Sequence, residues 1–167
     1  DDAIWLPNVS INNRKLKVLK KPSKTQKLIA YADMVFAGNQ FLADYASQFN
    51  DRVKMIPTTI DTNYHLPRKI DPSNQKVTIG WTGSQTTLQY LEQIQGTLRR
   101  LKMKFGDRLK LKVICDRPWQ PKGLEVENVK WSRSEEIQQL HAFDIGLMPL
   151  SDDKWSKGKC AFKALQY

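Results

Sequence analysis

The strongest periodicity in the chain runs from Leu88 to Phe105. Leu88, Leu91, Ile94, Leu98, Leu101 and Phe105 recur at gaps of 3, 3, 4, 3 and 4. That spacing fits one face of an α-helix and fails strand alternation. Thr86 with Gln89 fits a capping box, so a helix is predicted over roughly 86–104. A second stripe, Phe41, Leu42, Tyr45 and Phe49, follows Asn39, a good N-cap, and predicts a helix over roughly 40–49. Short apolar runs separate the helical patterns: 34–37, 53–56, 77–81, 109–115, 129–131 and 144–147. Each is short enough for a buried strand, and several end at Gly or Pro. Ser132 with Glu135 fits another capping box, for a helix near 134–142. Residues 158–167 look helical and carry no C-cap signal.

Strands alternating with helices predict an α/β fold, a Rossmann-like parallel sheet with helices on both faces. Ligands of such sheets bind beyond the carboxyl ends of the strands. The residues that follow the strands therefore carry the functional interest: Gly83, Ser84, Asp116, Trp131, Ser132 and Ser151. The stretch from Thr58 to Asp71, with Pro67 and then Pro72, lacks periodicity and marks a candidate boundary between domains.

Charge adds a direction. The 167 residues hold 27 Lys and Arg against 17 Asp and Glu, a net charge of +10, which points to an anionic partner. Seven of the basic residues fall in 14–27 with no acid among them. Lys17, Lys20, Lys21, Lys24 and Lys27 share a helical face, and Pro22 argues for an interruption or restart there. Such a face either is solvated or meets anionic lipid headgroups. No run of 18 apolar residues is present, so no transmembrane helix is expected. The acidic start, Asp1-Asp2-Ala3-Ile4-Trp5, lacks a signal-peptide layout. Two cysteines, Cys115 and Cys160, exclude a disulfide scaffold and fit a reducing, cytoplasmic setting.

Candidate chemistry is sparse. The turn Gly83-Ser84-Gln85-Thr86-Thr87 joins a strand to a helix start, where backbone N–H groups suit a phosphate. The same glycine also fits a plain tight turn that needs φ > 0. Lys157, Lys159 and Lys163 could neutralise a diphosphate or form a solvated basic helix end. His65 and His141 have no Cys or His partner at ligand spacing and read as structural or exposed. The five tryptophans are scattered, which gives no stacking platform for nucleic-acid bases.

Three stretches resemble the family 4 glycosyltransferases, retaining enzymes of the GT-B fold. Residues 32–39 followed by Val53-Lys54-Met55-Ile56-Pro57-Thr58-Thr59-Ile60-Asp61 are similar to the family's passage out of its first domain. Val77-Thr78-Ile79-Gly80-Trp81-Thr82-Gly83-Ser84 is similar to the first strand of its donor-binding domain. Phe143-Asp144-Ile145-Gly146-Leu147-Met148-Pro149-Leu150, with Phe162-Lys163-Ala164-Leu165-Gln166-Tyr167, resembles the donor-domain stretch "A-D-I-G-L-x-P-L … LKxxEYMAxG".

The resemblance implies a glycosyltransferase that moves a sugar from a UDP- or GDP-linked donor to a glycan or lipid-linked acceptor, with retention. It implies no cofactor beyond the sugar nucleotide, no metal and no nucleic acid. It implies a cytoplasmic enzyme, peripheral at the inner membrane face. Residues 1–62 would be the tail of the acceptor-side domain, 63–75 the linker, and 76–167 a donor domain truncated at its C-terminal end. Such a fragment would be inactive alone. Gly83, Ser84, Lys159 and Lys163 would meet the diphosphate, Trp131 and Ser132 the base, and Gln166 the ribose. Two departures stand out. The next basic residue after the Gly83 turn is Arg99, where relatives place an Arg and a Lys close behind the strand. Gln166 takes the place of a ribose-binding Glu, and Gly158 stands eight residues before it, so Asp152 and Asp153 become the nearest carboxylates for the sugar. The rival readings are a basic α/β module that binds nucleic acid or a protein, and a flavodoxin-like regulatory domain.

Overall fold

A computed structural model describes residues 2–6, 21–68 and 75–167. The part of the basic stretch from Arg14 to Lys20 and residues 69–74 of the linker lie outside the described residues. In chain order the elements are α1 (Pro22–Tyr31), β1 (Val35–Ala37), α2 (Gln40–Ala46), β2 (Val53–Met55), β3 (Val77–Thr82), α3 (Leu88–Gln93), α4 (Gln95–Phe105), β4 (Leu109–Cys115), β5 (Glu127–Lys130), α5 (Glu136–Leu140), β6 (Ile145–Gly146), α6 (Lys154–Lys157) and α7 (Phe162–Gln166).

The chain divides into two compact units. One comprises the described residues of Asp1–Thr59 together with Ser151–Phe162; the other comprises those of Ile60–Leu150 together with Lys163–Tyr167. The sequence suggests a single crossing at 63–75. The structure instead brings Ser151–Phe162 into the unit that holds the N-terminal residues. Packing supplies the reason. Ala3 is fully buried, and Trp155 and Cys160 pack against the cluster of Ala3, Ala37, Leu42 and Ala43. Gly158 makes room for this, because a Cβ there would lie 2.7 Å from the Ala3 Cβ.

In the first unit, α1 opens with Pro22 in its first turn, where the missing N–H costs nothing. This fits a helix that starts at that proline. Strands β1 and β2 pair in parallel, Val35 opposite Val53. Asn39 caps α2 as its side chain predicts, accepting from Leu42 N at 2.9 Å. Helix α2 ends at Ala46, so Phe49 lies beyond it.

The second unit is a Rossmann-like α/β layer structure. Its four strands are all parallel, in the order β5-β4-β3-β6. Alternation along β4 sends Leu109, Leu111, Val113 and Cys115 into one core with Ile79 and Trp81 of β3 and Leu88, Leu91 and Leu98 of the following helices. Ile114 faces the other side, with Leu140 and Phe143. Lys112 also faces away from the first core, nearly buried, and pairs with Glu127 at 3.0 Å. Gly80 lets the Phe143 ring lie flat on β3, since a Cβ would overlap the ring.

Several elements differ from the sequence pattern. The predicted helix over 86–104 is a 3-10 turn at Gln85–Thr87, then α3 and α4, broken at Ile94. Gly96, a poor helix former, lies beside the break. The apolar stripe survives it, except that Phe105 stays exposed with Lys104 and Arg108 over its ring at 5.4 and 5.9 Å. The capping interaction falls two residues early: Ser84 N donates to Thr87 Oγ1 at 3.0 Å. Ser132 does not cap a helix, because Glu135 N reaches its carbonyl at 3.2 Å and α5 starts only at Glu136. Of the helical pattern over 158–167 only α7 is helix, preceded by Ala161 at φ 56°, while the short α6 lies ahead of that stretch. No helix among the described residues is long and apolar enough to cross a membrane.

Candidate functional site

The order β5-β4-β3-β6 places a topological switch point between β3 and β6, because the chain builds outward from β3 on one side and then returns to its other edge. Open parallel sheets bind ligands outside the carboxyl ends of such a strand pair. Here the β3–β6 pairing ends after Gly80 and Gly146, with Leu147 N donating to Gly80 O at 2.8 Å. Tyr167 supplies the next rung. Thr82 N donates to its hydroxyl at 3.3 Å, and the hydroxyl donates to Leu147 O at 3.0 Å. A Cβ at Gly146 would overlap the Tyr167 ring, so this glycine admits the ring against β6. Burial pushes the Tyr167 phenol up to about 12.

The Gly83–Thr87 turn follows β3, and four of its five amides are engaged within the protein. Gly83 N donates to Ile114 O at 3.1 Å, Ser84 N to Thr87 Oγ1 at 3.0 Å, Gln85 N to Asp116 Oδ1 at 2.6 Å, and Thr87 N to Ser84 O at 2.9 Å. The expectation of free N–H groups is corrected for these four. The cause is register: Thr82 lies opposite Ile114, so Asp116, two residues on, reaches the turn. A carboxylate stands where an anion was expected. Hydrogen bonds from the Cys115 thiol and from Gln85 N lower the Asp116 pKa. Burial pushes the Cys115 thiol up. Gly83 also lacks the φ > 0 that the tight-turn reading assumed. It is glycine because a Cβ would strike the Trp81 ring and approach Thr87 Oγ1 to 2.7 Å.

Two of the sequence-selected residues meet on one side chain that sequence reasoning did not select, and a third bonds one of the two. Trp131 Nε1 donates to Glu136 Oε1 at 3.3 Å, and Gln166 Nε2 donates to the same oxygen at 3.5 Å. Lys163 Nζ donates to Gln166 Oε1 at 3.3 Å. Trp131 stands directly after β5, Glu136 in the first turn of α5, and Lys163 and Gln166 on α7 one turn apart. Burial lowers the Lys163 pKa, and the charge of Glu136 acts against that shift. Ser132 lies next to this cluster in sequence, with its hydroxyl 2.9 Å from that of Ser134. The cluster offers an aromatic face, a carboxylate, an amide and a cation, which together suit a polar anionic ligand with a flat ring.

Lys159, Asp152 and Asp153 belong to the first unit and have partners there. Lys159 Nζ pairs with Asp2 at 2.8 Å and lies 5.3 Å from the Trp155 ring centroid. Asp153 caps α6, accepting from Ser156 N at 2.7 Å. Asp152 is exposed, 3.9 Å from Lys157. In the second unit, the His141 ring bonds to Leu66 O at 2.7 Å. Among the described residues His65 Nδ1 has no hydrogen-bond partner, and its ring meets that of Tyr64 edge-on. Both histidines, with Arg68 and Gln166, line a cavity of about 190 Å³. Arg68 is bound to Asp144 and donates to His141 O at 3.0 Å.

A scan against protein-family models matches none, and a search of curated proteins finds no match.

Proposed function

We propose that this chain carries the donor-binding part of a sugar-nucleotide-dependent glycosyltransferase, GT-B in fold and of the family 4 type. The observation that carries the reading is one hydrogen-bonded cluster in which Trp131 and Gln166 both bond Glu136 and Lys163 bonds Gln166. Trp131 is singled out by its place after a strand and Lys163 and Gln166 by the motif resemblance, more than thirty positions further along the chain, and they meet in one unit. The parallel sheet with its switch point supports the same reading, since it is the architecture on which nucleotides bind.

In this reading the base lies on Trp131 near Ser132, and the diphosphate is met by Lys163 through charge-assisted bonds. Gly83 and Ser84 bound the crevice, and a phosphate that reaches the Gln85 amide displaces the Asp116 carboxylate. The donor is UDP- or GDP-linked, and the acceptor is a glycan or lipid-linked glycan. Stabilisation of the leaving diphosphate and orientation of the reactants would supply the catalysis. Lys159 has its own partner in Asp2, so the reading rests on Lys163 for charge. An anionic membrane surface is proposed as the peripheral contact. Lys24, Lys27, Leu28 and Tyr31 fall at helical spacing on α1, all four exposed.

Calorimetric titration with UDP, GDP and their sugars, beside single-stranded DNA, tests the reading. Binding of a nucleoside diphosphate, weakened about tenfold or more by Lys163→Ala, is expected from the loss of a bond to a charged group. Tight binding of DNA with no response to any nucleotide would overturn it in favour of a basic binding module.

A further inference from the structure

The cluster around Glu136 has an internal order that points to how a ligand lies in it. This inference rests on the donor reading above. Trp131 is 45% exposed, although its Nε1–H is held by Glu136. Its Nε1 edge is therefore held while nearly half of the residue stays exposed, which leaves area for a flat ring to stack. Glu136 Oε1 takes both the indole and the Gln166 amide, and Oε2 has no hydrogen bond among the described residues. Both contacts to Oε1 are long, so neither uses up the carboxylate. Gln166 then leads to Lys163, the cation of the set.

Followed along these contacts, the order is aromatic face, carboxylate, amide, ammonium. A ribonucleotide has a matching order: flat base, hydroxyl-bearing sugar, anionic phosphate. An ionised carboxylate only accepts hydrogen bonds and repels phosphate, so the hydroxyl-rich middle of the ligand is the part it can hold. Gln166, a neutral donor and acceptor, can share the sugar without adding charge.

We propose that Glu136 is the residue that reads the ribose: its Oε2 accepts from the 2′-hydroxyl of a nucleoside diphosphate whose base stacks on Trp131 and whose phosphates meet Lys163. Glu136 thereby sets a preference for ribonucleotides over 2′-deoxyribonucleotides. It supplies from α5 the carboxylate that Gln166 on α7 lacks.

The test is calorimetric titration of the 167-residue chain with UDP and GDP and with their 2′-deoxy counterparts. Wild type should bind the preferred diphosphate about tenfold or more tightly than its 2′-deoxy form, the loss expected for one hydrogen bond to a charged group. Glu136→Gln should shrink that ratio to about twofold or less while affinity for the deoxy form stays within a few fold. A merely structural Glu136 would instead weaken both ligands together. The wild-type comparison needs no variant, and circular-dichroism melting checks that the variant folds. Equal wild-type affinity for the two sugars, or full discrimination retained by Glu136→Gln, would overturn the ribose assignment and leave the donor reading standing. Binding of neither UDP nor GDP by wild type would overturn both.

Discussion

At the residue scale, the second unit depends on glycines that admit rings. Gly80 has no room for a Cβ because Phe143 lies on it. Phe143 is itself 7% exposed and closes one face of the sheet with Ile114 and Leu140. Gly80→Ala must push that ring off the strand, so we expect a loss of about 1–3 kcal/mol, the range for overpacked cores. Urea denaturation measures it, and an unchanged midpoint would contradict the packing described. Tyr167 allows a second test, in pH. Its phenol is pushed up to about 12, against an unfolded value of about 10. The neutral form is the one the fold favours. Its contribution is therefore complete below about pH 10 and is lost as the pH rises towards 12. The stability gap between wild type and Tyr167→Phe should narrow from pH 9 to about pH 11, and a constant gap would refute the burial of the phenol. Sequence alone exposed part of this chemistry. Trp131 was legible because it follows a strand, and Lys163 and Gln166 because they sit in a motif. Glu136 was not, because a glutamate in a first helical turn already has a reason to be there, the helix dipole. Tyr167 was not, because nothing local marks a side chain that replaces a rung of a sheet.

At the element scale, the apolar stripes survived where the helix lengths did not. Leu88, Leu91 and Leu98 are buried as their spacing requires, yet the helix breaks at Ile94. Periodicity reports which side faces the core, and it tolerates a one-residue fault in the backbone. Helix α6 has only four residues, too few to display a period, and so left no trace in the pattern. Asn39 shows the reach and the limit of local signals. Its role as the N-cap of α2 is written in the sequence. Its amide also donates to Lys157 O at 3.1 Å and Lys159 O at 3.2 Å, in a segment over a hundred residues away. Asn39→Ala removes the cap, which costs about 0.5–2 kcal/mol, and unties that segment as well. Asn39→Asp keeps an acceptor for Leu42 N but loses the amide donors. The expected order of stability is wild type, then Asp, then Ala, measured by thermal melting at neutral pH. Equal stability of the Asp and wild-type proteins would show that the ties to 157–159 carry no weight.

At the scale of the whole molecule, the parallel sheet was foreseeable from strands that alternate with helices. The order β5-β4-β3-β6 was not, since strand neighbours are a matter of packing between segments distant in sequence. The membership of Ser151–Phe162 was hidden for the same reason: it depends on Ala3 filling the space at Gly158. One consequence concerns the basic residues. Lys159 and Lys163 read as one diphosphate clamp in sequence, yet they fall in different units. The central claim is therefore narrower than the motif suggested: a nucleoside diphosphate binds in the second unit, at Trp131, Glu136, Lys163 and Gln166. The most direct measurement is a nitrogen-15 NMR titration with UDP and GDP, with the Trp131 indole signal assigned from Trp131→Phe. The Trp131 indole N–H and the Gln166 side-chain amide should shift in saturable fashion with one of the two, while the β1 amides, Val35 to Ala37, stay in place. Saturable shifts confined to the first unit, or no shift of the Trp131 indole with either nucleotide, would contradict it.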